Sequence, residues 1–152
     1  MVVGICALAA LVCATLPGAA QALCMAWPMP PAYHQASRAL RDGRVTDAVR
    51  LFRQAARYPG EEKRWVASAY AQAGGTALRE QRYVEAAGHF RAAMSEVPSF
   101  YGVATGLLRS LEGAGRYHEA LQAARQFPEG ERDSPGTLRL RARLHACVCM
   151  LA

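Results

Sequence analysis

Aromatic residues make up only 8% of the 152 residues, and Lys63 is the sole lysine. A chain so poor in aromatics, with alanine at almost every turn, lacks the bulky side chains that favour a β-sandwich; its composition suits closely packed helices. Charge is missing altogether before Arg38, and the first acid is Asp42. For the chain as a whole, a composition 52% hydrophobic and 20% charged excludes general disorder. The balance of 18 basic against 12 acidic residues gives +6. That charge is too mild and too dispersed for a nucleic-acid footprint. His34, His89, His118 and His145 have no serine or carboxylate beside them in a nucleophile–base pattern, so no catalytic residue is assigned and no enzyme or cofactor is expected. The length accommodates one domain.

The uncharged start contains an apolar run, Val2 to Leu16, of signal-peptide length. Pro17-Gly18 breaks any helix there, and Ala20-Gln21-Ala22 has the small-x-small pattern of a signal-peptidase site. Residues 1–22 are expected to be a signal peptide, although Met1-Val2-Val3-Gly4 lacks the usual Lys or Arg. The chain is accordingly expected to be exported, periplasmic or secreted. The alternative is an uncleaved anchor formed by residues 2–23, the one route by which membrane association is expected. Residues 23–31 form an extended lead-in, since Pro28, Pro30 and Pro31 exclude a helix.

Three segments then line up: Gly43-Arg44-Val45-Thr46-Asp47-Ala48, Gln81-Arg82-Tyr83-Val84-Glu85-Ala86 and Gly115-Arg116-Tyr117-His118-Glu119-Ala120. The alanines lie 38 and then 34 residues apart. Each segment ends one helical pattern and opens another. First helices are predicted over 33–41, 65–80 and 101–113, and second helices over 46–57, 84–96 and 118–126. Gly60 to Arg64 read as a lengthened link. Apolar residues recur three and four apart, as in Ala48, Leu51, Phe52 and Ala55. Two helices per unit at this period describe a helical solenoid.

The second unit carries Tyr70, Gly74, Ala77, Ala86, Phe90, Ala93 and Pro98 at the spacing of the tetratricopeptide-repeat (TPR) pattern. The chain resembles that family, in the form of a small exported bacterial-type member. The resemblance implies an all-α fold: a right-handed solenoid of three TPR helix pairs (about 32–59, 65–98 and 101–128) with a capping helix over 135–150, the TPR domain running from 32 to 152. Gly74, Ala48, Phe52, Ala86, Phe90 and Ala120 are the expected repeat-packing residues. In the capping helix, arginines 139, 141 and 143 are expected outward and leucines 138, 140 and 144 inward.

In this family the first helices line a concave face that holds a peptide, which implies a protein or peptide partner. The inward positions here are Tyr33, Ser37, Leu40 and Arg41; Ala71, Gly75, Leu78 and Arg79; and Thr105, Arg109 and Glu112. No cation stands where relatives clamp a terminal carboxylate, at Tyr33, Ser37, Gln72, Gly102 and Gly106. The groove arginines imply an acidic partner. Two further sets follow the repeat, Arg44, Arg82 and Arg116, and Arg53, Arg91 and Arg125. They read as solvent-facing charge neutralised by Asp47, Glu85 and Glu119, with a basic binding stripe as the alternative. Cys147 and Cys149 are read as buried small side chains of the cap, with a disulfide that involves them or Cys24 as the alternative. His145, Cys147 and Cys149 are spaced by two and cannot share one helical face, so no metal is expected.

Overall fold

A computed structural model describes residues 29–56, 58–100 and 102–151. The expected signal segment, its expected cleavage point and Cys24 lie outside them. The chain divides into Met1–Pro30 and Pro31–Ala152. In the second unit the described residues form eight helices and no strand, so it is all-α: α1 (Pro31–Arg41), α2 (Val45–Ala55), α3 (Glu61–Arg79), α4 (Tyr83–Glu96), α5 (Val103–Gly113), α6 (Tyr117–Arg125), single-turn α7 (Glu129–Arg132) and α8 (Pro135–Leu151). No described helix is long and apolar enough to cross a membrane.

The three aligned segments form one turn, made three times. The N–H of Arg44, Arg82 and Arg116 donates to the carbonyl of Ala39, Ala77 and Leu111 at 2.8–2.9 Å. The N–H groups of Gly43, Gln81 and Gly115 donate to Leu40, Leu78 and Glu112. This is the Schellman closure, which satisfies the last carbonyls of the first helix and needs a left-handed residue. Gly43 and Gly115 supply it at φ +77 and +73; Gln81 adopts φ +59 and bears the strain of a Cβ. Each arginine then stands at the N-cap of the next helix with no side-chain cap hydrogen bond, its carbonyl accepting from the N–H of Ala48, Ala86 or Ala120. Asp47, Glu85 and Glu119 fall in that helix's first turn, where the macrodipole favours an acid.

Each helix from α1 to α6 packs on its neighbours in sequence, α3 also touches α5, and α8 lies against α5 and α6. Ala48, Ala86 and Ala120 are fully buried, which allows close helix approach. Phe52 and Phe90, each 5% exposed, fill the gaps between successive first helices. The Phe52 ring meets Tyr33 of α1 and Trp65 of α3. Phe90 points at two glycines: a Cβ on Gly74 would lie 3.1 Å from its ring, and one on Gly106 only 2.5 Å. In the third unit, where Ala124 replaces the phenylalanine, Phe127 from the following loop enters the same core as Leu140 and Leu144.

Several boundaries differ from expectation. Pro31 is helical, because the first residue of a helix needs no N–H. Residues 61–64 are the first turn of α3, not a link. Tyr58-Pro59-Gly60-Glu61 closes a tight turn with Gly60 at φ +86, which leads straight into the helix. The short α7 was not foreseen. In α8, Leu138 is 47% exposed while Thr137, Leu140 and Leu144 are buried, following the helical rather than the alternating period. Thr137 is satisfied by Ser134, whose hydroxyl donates to its Oγ1 (3.0 Å) and accepts from its N–H (3.3 Å). Cys147 is half-buried and Cys149 exposed, both free, so Cys149 is not the buried residue expected.

Candidate binding face

The first helices and α8 border three hollows. One of about 180 Å³ lies between α1 and α3, lined by Tyr33, Ser37, Leu40, Arg41, Phe52, Trp65, Ser68 and Gln72. Its aromatic walls are mutually braced: Tyr33 meets Phe52 and Trp65 edge-on with centroids 5.3 and 5.1 Å apart. A second, of about 510 Å³, shares Leu40, Arg41 and Gln72 and continues past Thr76 to Arg82 and His89. The third, about 660 Å³, lies between α5 and α8 and includes Thr105, Arg109, Arg139 and Arg143.

Tyr33, Ser37 and Arg41 are therefore brought together, and Thr105 and Arg109 share another hollow. Ala71, Gly75 and Arg79 line none of the three. Ala71 packs partly on the larger core, and Arg79 is exposed, donating to Thr76 Oγ1 at 3.1 Å. Gly106 is buried against Phe90. With side chains as small as these, α3 and α5 pack directly. From α3 the α1 side receives Ser68, Gln72 and Thr76 instead. Gln72 Nε2 donates to Ser68 Oγ at 3.3 Å. This polar triplet at i, i+4 and i+8 in an Ala/Gly-rich helix is readable in the sequence, but of its members only Gln72 is singled out there, as a clamp position without a cation.

The arginines divide by position. Arg44 pairs with Asp42 and Asp47, Arg82 with Glu80 and Glu85, and Arg116 with Glu119. Hydrogen bonding to Asp42, and to Glu80 then Glu85, raises the guanidinium pKa of Arg44 and Arg82 above the ordinary value. Such a shift adds stability below the ordinary guanidinium pKa and loses it only as pH passes the still higher folded value, far above neutrality. On the second helices Arg50 pairs with Asp47, Arg53 with Glu96 at 2.9 Å, and Arg91 with Glu119, while Arg125 of α6 has no ion pair with a described residue. By contrast, no described ion pair engages Arg38 or Arg41 of α1, Arg64 or Arg79 of α3, or Arg109 of α5. α1 has no acid at all, α3 none after Glu62, and the sole α5 acid, Glu112, is held by Arg143 of α8.

Among the described residues no three His, Cys, Asp or Glu side chains gather as a metal site. In comparisons with known proteins, no family model matches the chain and no curated protein is significantly similar to it.

Proposed function

We propose that the chain is an exported, non-enzymatic adaptor: three TPR helix pairs capped by α8, whose first-helix face holds an acidic segment of a partner protein. The observation that carries the reading is the division of the arginines. Among the described residues, cations of the turns, α2 and α4 are matched by carboxylates, whereas those of α1, α3 and α5, and Arg125 of α6, are not. An unmatched cation on a grooved face gains most from an incoming acid, because the partial shelter of the groove reduces screening. Panning a random peptide library on the immobilised protein tests this. Enrichment of Asp- and Glu-containing peptides is expected, and enrichment of neutral or basic ones would reject it.

A structural subunit that docks through the end of the solenoid is the second reading. The exposed Leu138, Cys149 and Met150 of α8 favour it. A concentration-independent monomer in sedimentation equilibrium counts against that reading.

A further inference from the structure

The capping helix presents more than a polar end. Gly136, Arg139 and Arg143 of α8 stand 34 residues after Gly102, which precedes α5, and Thr105 and Arg109 of α5, which is the repeat spacing. All six line the same hollow of about 660 Å³. Thr105 and Arg109 within α5, and Arg139 and Arg143 within α8, each sit at i and i+4 on one face of their helix, so α8 repeats the exposed face of a first helix while its Leu140 and Leu144 reach the core.

The charges in this hollow are unequally committed. Arg143 is bound to Glu112, its Nε donating to Oε1 at 3.0 Å and its Nη2 contacting both carboxylate oxygens. Arg109 and Arg139 have no ion pair with a described residue. Glu131 of α7 borders the hollow as its one acid and is likewise without an ion pair among the described residues. Two uncommitted guanidiniums against one carboxylate leave the site cationic, and planar guanidinium forks match carboxylates geometrically. Beside Gly102 the space is open and leaves room for a backbone to approach, whereas Gly136 packs against the Thr105 methyl, 3.1 Å from where a Cβ would stand.

We infer that Arg109 of α5 and Arg139 of α8 form a carboxylate-binding site for an acidic peptide, with Glu131 as an internal competitor that weakens it. The assignment rests on the proposed acidic partner, and it makes α8 a recognition element as well as a cap.

The test uses the full chain and a fluorescein-labelled oligoglutamate peptide with a blocked C-terminus, followed by anisotropy. Arg109→Ala and Arg139→Ala should each weaken binding about tenfold, the loss of one charge-assisted contact. Glu131→Gln should tighten binding, an effect a merely structural role of these residues would not produce. Arg125→Ala is the control: it removes an equal charge that also lacks a described ion pair but lies outside the hollow. All four positions are exposed or half-buried, so unchanged thermal melts are expected to accompany these shifts. Equal weakening by Arg125→Ala would reduce the effect to net charge and overturn the site. Displacement by inorganic phosphate beyond that of chloride at matched ionic strength would mark a small-anion site and overturn the peptide assignment. If Arg41→Ala weakens binding while Arg109→Ala and Arg139→Ala do not, the acidic-partner reading stands and this site falls. If none of the three matters, both fall.

Discussion

Gly106 shows how much one missing side chain decides. It was legible only as a groove position without a cation, because its partner, Phe90, is remote in sequence. In the fold the Phe90 ring lies between Gly74 and Gly106 and cannot retreat from a Cβ on one without meeting the other. Alanine favours a helix over glycine by about 1 kcal/mol, so Gly88→Ala, with open space around it, should raise the melting temperature. Gly106→Ala should instead lower it, since overpacking of about 1–3 kcal/mol exceeds that gain. Thermal unfolding of the pair checks this, and matched shifts would mean that Phe90 does not occupy the gap. Gly60 is an unsuitable control despite its open surroundings, because its φ of +86 strains any other residue. Gln81 is the converse case. Its left-handed backbone costs roughly 1 kcal/mol that Gly43 and Gly115 avoid at the equivalent turns. Gln81→Gly should therefore raise the midpoint of urea unfolding with an unchanged slope.

The helices themselves were largely legible, since apolar spacing and the Gly-Arg-x-x-acid-Ala segments mark where each pair turns. What failed were the signals that depend on the turn's geometry. Pro31 reads as coil because proline disrupts a helix interior, and Gly60 to Arg64 as a link because they lengthen the first repeat, whereas proline suits a first helical turn and Pro59-Gly60 reverses the chain within one turn. The buried face of α8 was misread as an alternation of Leu and Arg. The actual face runs through Thr137, Leu140 and Leu144, with Phe127 supplied from outside any predicted helix. Leu144→Ala should accordingly cost about 2–5 kcal/mol, a large share of a small domain's stability. Leu138→Ala should stay within about 0.5 kcal/mol. Chemical denaturation of both variants distinguishes this arrangement from its mirror, in which the costs would be reversed.

At the scale of the molecule, the positions of the arginines were plain in the sequence, but their partners were not. The short-range pairs, such as Arg82 with Glu85, could be read from helical spacing. Arg53 with Glu96 and Arg91 with Glu119 could not, because each joins one second helix to the region of the next. The groove was only half legible for a related reason. Tyr33, Ser37 and Arg41 line one hollow, but α3 and α5 pack directly where glycine and alanine allow it, which leaves hollows on either side. The most direct measurement is the affinity of a library-selected acidic peptide for two double variants, at low and moderate salt. Arg41→Ala with Arg109→Ala removes unmatched cations of the first-helix face. Arg53→Ala with Arg91→Ala removes the same charge from exposed pairs worth about 0–1 kcal/mol each. Loss of binding in the first, deepest at low salt, with near wild-type affinity in the second, is the predicted result. Loss in the second with the first intact would move recognition to the outer helices and contradict the assignment of the binding face.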